Sequence, residues 1–149
     1  TVLRCSEIPN IVGDKEANGD LAHSAAIMEA APDFKIWSGN DNDNFHLWCM
    51  GAWGAISVTS HIVASQQQQM LRFIHEGRLS EAAAIHRPLC RVTDACFLSG
   101  SPSTIPYVLR QLGFEIGAPR LPVVEPDAAT GAKVMAELRR QRLDTMVPA

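Results

Sequence analysis

The chain has 149 residues, a length that suits one domain and is short for a large enzyme barrel. Apolar residues make up 46% of it and charged residues 19%, which excludes an intrinsically disordered chain. The net charge of −3 gives no reason to propose nucleic acid or an anionic membrane as a partner, and no run of about 18 apolar residues offers a membrane span.

The amino terminus and the cysteines bear on the compartment. The first residues lack the basic-then-apolar layout of a signal peptide, and no initiator methionine is present, so we expect the chain to start inside a longer polypeptide. The cysteines at positions 5, 49, 90 and 96 are not spaced as zinc ligands. We therefore expect free thiols, no metal site and a reducing cytoplasm.

Three short apolar segments predict β-strands, at residues 8–15, 34–38 and 54–59. Their weak alternation is typical of strands that are covered on both faces of a parallel sheet. Between them, helical patterns cover residues 21–31, after the N-cap residue Asp20, and residues 44–50. Alternating strands and helices of this length predict βαβ units with a parallel sheet.

From residue 64 onward the patterns are helical, at residues 64–76, 80–97 (with residue 79 as an alternative start), 105–112 and 130–143. The tail at 144–149 is expected to fray. We divide the chain into a partial α/β barrel, residues 1–77, and a helical domain, residues 78–149. Because three parallel strands expose two edges and a closed barrel needs about eight, we expect further strands to pair with these.

Lys15 is the candidate catalytic residue, because it ends the first predicted strand. Side chains alternate along a strand, so Ile11, Gly13 and Lys15 share the face that a barrel interior would take. Burial disfavours the ammonium form and frees the amine to attack a carbonyl. Lys35 opens a strand at the opposite end, and Lys133 lies on the last helix. The alternative is a salt-bridged lysine at a strand end.

The loop after the second predicted strand is a candidate for the same rim, and the third strand is a candidate to line the pocket. Gly39 follows the second strand, where the lack of a side chain lets a ligand approach the backbone. The third strand carries Ile56, whose neighbourhood offers backbone carbonyls and hydroxyls. The alternatives are a plain turn and a packed core strand. The sequence contains no phosphate loop, dinucleotide fingerprint or histidine pair of a metalloprotease.

Three segments together resemble a known family. Residues 10–20 read Asn-Ile-Val-Gly-Asp-Lys-Glu-Ala-Asn-Gly-Asp, residues 38–41 read Ser-Gly-Asn-Asp, and residues 51–60 read Gly-Ala-Trp-Gly-Ala-Ile-Ser-Val-Thr-Ser. In this order and spacing they resemble the dihydrodipicolinate synthase / N-acetylneuraminate lyase family, and the helical tail fits too. The resemblance implies the carboxyl-terminal part of a (β/α)8 TIM barrel, strands six to eight, plus a carboxyl-terminal helical extension.

The resemblance also implies a chemistry. Lys15 would form a covalent imine with pyruvate, with no separate cofactor, and Gly39 and Ile56 would approach the bound keto acid through backbone groups. The resulting enamine would attack an aldehyde, which is aspartate semialdehyde in the synthase branch. Small keto acid and aldehyde substrates are therefore the expected partners, together with a homo-oligomer or a missing amino-terminal half-barrel.

Several family features are absent from this sequence. The Thr-Thr-Gly-Glu pyruvate loop, the proton-relay tyrosines and the arginine for the second substrate do not occur, and the single tyrosine, Tyr107, lies in the helical tail. We therefore expect little turnover from these 149 residues alone. Two alternatives stay open: another pyruvate-dependent aldolase, similar to N-acetylneuraminate lyase, and a non-catalytic half-barrel that assembles with another chain.

Overall fold

A computed structural model describes residues 1–143 of the chain. Three parallel strands form its sheet in the order β1-β2-β3, where β1 is Gly13–Glu16, β2 is Lys35–Ser38 and β3 is Gly54–Ala55. The predicted α/β class with a parallel sheet is confirmed.

Seven α-helices and one 3₁₀ turn are found among the described residues. The helices are α1 Val2–Cys5, α2 Leu21–Ala30, α3 Asn44–Cys49, α4 Ser60–His75, α5 Leu79–Cys96, α6 Thr104–Gln111 and α7 Ala128–Arg140, and the 3₁₀ turn is Asp41–Asp43. In α2, the carboxylate of Asp20 accepts the backbone N–H of His23 at 3.0 Å, so the predicted N-cap is confirmed.

The chain forms two compact units. The first contains Thr1–Ser57 and Met70–Ala83, and therefore the whole sheet with α1 to α3. Its core includes Ile27 of α2, Ile36 of β2 and Leu47 of α3, each almost fully buried. This unit contains all three candidate site residues.

The second unit contains Val58–Gln69 and the chain from Ala84 onward. Its core is an apolar cluster built on Val63, Leu89, Val92, Cys96, Ile105, Val108, Val134, Met135 and Leu138. Tyr107 of α6 packs on Gly131 of α7, where a β-carbon would lie 2.6 Å from the ring carbon Cζ. Glycine at position 131 therefore allows the two helices to approach closely.

Several boundaries differ from those predicted. Residues 8–11 form turns rather than strand, with the N–H of Ile11 bonded to the carbonyl of Ile8 at 2.9 Å. Pro9 lies in this segment and cannot donate a ladder hydrogen bond. The third strand ends at Ala55 instead of residue 59, because α4 begins at Ser60, four residues earlier than predicted.

Two further points concern the helical part. Gln67 of α4 is buried and donates a hydrogen bond from Nε2 to Oγ1 of Thr59 at 3.1 Å. The tail at 144–149, for which fraying was predicted, lies outside the described residues.

Candidate functional site

Lys15, Gly39 and Ile56 lie together at the carboxyl ends of the three strands. Lys15 is paired with Trp37 in the ladder between β1 and β2, so it lies one rung before the end of both strands. Gly39 and Ile56 each follow the last paired residue of their strand. The structure therefore brings the three sequence-predicted residues to one rim of the sheet.

Gly39 directly contacts the side chain of Lys15. A β-carbon built on Gly39 would lie 2.9 Å from both Cγ and Cε of Lys15, and 2.8 Å from Cβ of Ala17. Ordinary carbon–carbon contacts are about 3.5–4.0 Å, so any residue larger than glycine would press on the lysine stem. Position 39 thus carries glycine because the Lys15 side chain occupies the space above it.

The sheet has one covered and one open face. Glu16, Ile36 and Ser38 are buried on the helix-covered face. Because side chains alternate and paired residues of parallel strands project the same way, Lys15 and Trp37 project from the other face. Lys15 is exposed on that face, and this corrects one expectation: the lysine is not enclosed among the described strands.

Two consecutive hydrogen bonds to side-chain oxygens hold the turn that follows Lys15. Oε1 of the buried Glu16 accepts the N–H of Asn18 at 2.8 Å, and Oδ1 of Asn18 accepts the N–H of Asp20 at 2.6 Å. Between them, Gly19 takes a φ of +76°, which glycine adopts without strain. These bonds connect the end of β1 to the cap of α2, and they fix the backbone on which Lys15 is mounted.

The backbone N–H groups of the rim are already used. Gly39 donates its N–H to the carbonyl of Glu16 at 2.7 Å, and Ile56 donates its N–H to the carbonyl of Ser38 at 2.8 Å. A ligand at this rim would therefore meet the carbonyl oxygens of Gly39 and Ile56 as acceptors. The side chain of Ile56 is half exposed on the same rim and offers an apolar contact.

Sequence reasoning missed the aromatic side chains on the open face. One of them is Trp37, whose indole lies over Gly13, where a β-carbon would be 2.4 Å from Cζ3. The space that Gly13 leaves is thus filled by a neighbouring side chain and not by a ligand. The sequence could have indicated this position, because Trp37 and Gly39 are two residues apart and residues at that spacing in an extended segment face the same side of the sheet.

The other chemistry-bearing groups of the described residues do not form a second site. Residues 1–143 contain no group of three or more His, Cys, Asp or Glu side chains that could hold a metal ion, and no disulfide joins any of the four cysteines. A cavity of about 400 Å³ opens at the amino-terminal end of β1 and β2, lined among others by Ile11, Val12 and Phe34. It includes none of the three rim residues. Within the same range, no helix is long and apolar enough to cross a membrane.

The comparison with protein families decides the assignment. The profile of the dihydrodipicolinate synthetase family matches residues 1–141, which is almost the whole chain. The chain belongs to the dihydrodipicolinate synthetase family. The resemblance carried by the three sequence segments is therefore confirmed.

Curated members of this family are similar over about half of their length. The 4-hydroxy-tetrahydrodipicolinate synthase of Dehalococcoides mccartyi is 46% identical over 145 residues, which are 97% of this chain and 49% of the relative. The enzyme of the same name from Listeria monocytogenes is 38% identical over 139 residues, 93% of this chain and 47% of the relative. The chain thus spans about half the length of the curated relatives it matches.

Solved dihydrodipicolinate synthases share the fold of the chain. The structure from Cyanidioschyzon merolae superimposes with a TM-score of 0.88 at 33% identity and covers 95% of this chain and 48% of its own. That from Thermotoga maritima gives 0.87 at 31% identity, covering 95% and 50%. The chain is accordingly part of a (β/α)8 barrel with its helical extension, as the family resemblance implied.

Proposed function

We propose that this chain carries the Schiff-base half of a 4-hydroxy-tetrahydrodipicolinate synthase active site. The observation that carries the proposal is the contact between Lys15 and Gly39 at the carboxyl rim of the sheet. Active sites of (β/α)8 barrels lie at this rim, where residues from several strand ends meet. The amine of Lys15 would then project into the barrel mouth beside two backbone carbonyls.

The proposed chemistry begins with attack of the Lys15 amine on the keto carbon of pyruvate. A carbon–nitrogen bond forms, water leaves, and a protonated imine results. Loss of a proton from the methyl group gives an enamine, whose carbon attacks the aldehyde carbon of aspartate semialdehyde while the aldehyde oxygen takes a proton. Displacement of Lys15 from the imine carbon, by water or by the amino group of the condensed product, returns the free amine. The covalent imine takes the place of a cofactor in this scheme.

The exposure of Lys15 fits this proposal if further strands cover the open face. The curated relatives are about twice as long as this chain, so their remaining sequence is sufficient for the other strands of a barrel. Enclosure would remove water from the lysine and disfavour its ammonium form. General acid–base groups supplied by those strands are typically worth ~10²–10⁴ in rate, so we expect little turnover from the chain alone.

The synthase reaction is favoured over the alternative aldolase. The two curated relatives described above carry the name 4-hydroxy-tetrahydrodipicolinate synthase, which implies lysine biosynthesis and a small keto acid and aldehyde as substrates. We expect the enzyme to act in the cytoplasm, where its free thiols stay reduced. The homo-oligomeric state stays a prediction, since one matched structure is a monomeric dihydrodipicolinate synthase variant.

A chimera tests the proposal. The half of the Dehalococcoides mccartyi relative that the match leaves uncovered is joined to this chain, and condensation of pyruvate with aspartate semialdehyde is measured. We expect activity in the chimera, no more than a trace in the 149-residue chain alone, and loss of activity in the Lys15→Arg chimera. The Lys133→Arg chimera is the matched control and should stay active. A folded chimera in which Lys15→Arg leaves condensation unchanged would refute the proposal.

A further inference from the structure

Two amines project from the open face of the sheet. Lys35 is paired with Gly13, and Lys15 is paired with Trp37, so both lysines lie on adjacent strands with the same orientation. They occupy opposite ends, with Lys35 at the start of β2 and Lys15 near the end of β1. Carbonyl chemistry on this face therefore requires something that distinguishes one amine from the other.

The indole of Trp37 lies across the sheet between these two ends. Its Cζ3 would be 2.4 Å from a β-carbon on Gly13 of β1, and its Cδ1 would be 3.5 Å from one on Gly54 of β3. The ring thus extends from one outer strand to the other, over a glycine on each side. It forms a floor on the amino-terminal side of Lys15 and separates the lysine from Lys35.

The amine of Lys35 is engaged by a second tryptophan. Its Nζ lies 4.1 Å from the centroid of the Trp53 ring, within the range of a cation–π contact. Trp53 is 62% exposed, and its ring centroid is 6.2 Å from that of Trp37. The contact holds the Lys35 amine against an aromatic ring, so a keto acid must displace the amine from that ring before it can reach the nitrogen.

We propose that Trp37 and Trp53 select Lys15 over Lys35 as the amine that reacts with a keto acid. Trp53 holds the Lys35 amine against its ring at the amino-terminal end, and Trp37 closes the face between the two amines. The selection rests on the proposed function, because it matters only if Lys15 forms an imine. It assigns a role to two aromatic side chains that take no part in the proposed imine chemistry itself.

Reductive alkylation of the whole 149-residue chain tests this selection. Pyruvate condenses with a free amine and releases water, and cyanoborohydride delivers hydride to the imine carbon, which leaves a stable secondary amine. Peptide mass mapping at pH 7 gives the rate at each of the three lysines. Lys133, exposed on α7, is the internal reference for an ordinary surface amine.

The expected result is the lowest rate at Lys35 in the wild-type chain. Trp53→Ala should raise the ratio of Lys35 to Lys133 about two- to fivefold, the size that an exposed cation–π contact supports, and leave the ratio of Lys15 to Lys133 unchanged. Trp53→Phe, which keeps a ring, should give a smaller rise. Trp37→Leu should also raise the ratio of Lys35 to Lys133, because Trp53 loses its neighbouring ring.

An unchanged Lys35 rate in Trp53→Ala, or an equal rise at Lys15 and Lys35, would overturn the selection. Because Trp53 is largely exposed, its loss leaves the core intact, and Trp53→Phe gives an independent measure. A different result would refute the proposed function, namely a Lys15→Arg chimera that still condenses its substrates. Either result can therefore occur without the other.

Discussion

Replacement of Gly39 by alanine is the sharpest perturbation of the rim. The new β-carbon would lie 2.9 Å from Cγ and Cε of Lys15 and 2.8 Å from Cβ of Ala17. Relief to an ordinary contact of about 3.5–4.0 Å requires a shift of roughly 1 Å. Relief of the Lys15 contact requires the lysine stem to move, and relief of the Ala17 contact requires the backbone to move, at an overpacking cost of about 1–3 kcal/mol. A displacement of this size near a reacting atom can lower a rate about 10²-fold.

The assay is the rate at which borohydride traps pyruvate on Lys15 in the chimera. Gly54→Ala is the matched control, because its β-carbon would make an ordinary 3.5 Å contact with Trp37 on the same open face. We expect Gly39→Ala to lower the trapping rate by about one to two orders of magnitude and Gly54→Ala to change it little. Equal trapping rates in the Gly39→Ala and wild-type chimeras would refute the inference that position 39 sets the lysine geometry.

Three further predictions concern the second compact unit, each measured by chemical denaturation. Leu138→Ala removes a side chain that is 1% exposed in the apolar cluster, and should lower the free energy of unfolding by about 2–5 kcal/mol. Gly131→Ala should destabilise despite the higher helix propensity of alanine, because its β-carbon meets Cζ of Tyr107 at 2.6 Å; a gain in stability would contradict the close helix contact. The backbone N–H of Thr130 lowers the pKa of the Asp127 carboxyl in the folded chain, so Asp127→Ala should lower the free energy of unfolding at neutral pH. This difference between variant and wild type should be lost as the pH falls below the ordinary pKa of 3.8 and through the lowered folded-state pKa. A difference that persists at low pH would argue against the cap.

Two of the rim residues could be predicted because strand ends in parallel sheets follow from local pattern. Lys15 and Gly39 each come where an apolar run gives way to small or polar residues, and parallel pairing brings such points to one edge. Ile56 lies inside the strand predicted at 54–59, and its place at the rim follows from the earlier end of β3 at Ala55. The contact between Lys15 and Gly39 depends on the strand register, which the weak alternation did not specify. The family resemblance supplied the chemistry, which the spacing alone left open.

The exposure of Lys15 could not be predicted from its own segment. Burial of a strand face depends on what covers it, and Lys15 is exposed on this one. The position of the Trp37 indole likewise depends on glycines of two other strands, Gly13 and Gly54, which are distant from it in sequence. Such contacts are set by tertiary packing, which local propensity does not encode.

The helical part was predicted in outline and missed in detail. Apolar spacing located α4 to α7 correctly, but the interior stripe of α5 includes Cys96 and not the exposed Phe97 that was assigned to it. A buried polar residue such as Gln67 is equally invisible in the pattern, because its burial depends on the hydroxyl of Thr59 as a partner. In each case the sequence located the helix, and which of its residues is buried depends on neighbouring residues in the fold.

The most direct measurement is the position of the covalent adduct. Pyruvate and borohydride are added to the chimera, the protein is digested, and the modified peptide is sequenced by mass spectrometry. The account predicts a single adduct on Lys15, which disappears when borohydride is omitted. An adduct on Lys35 or Lys133 instead, or none in a chimera that still condenses its substrates, would contradict it.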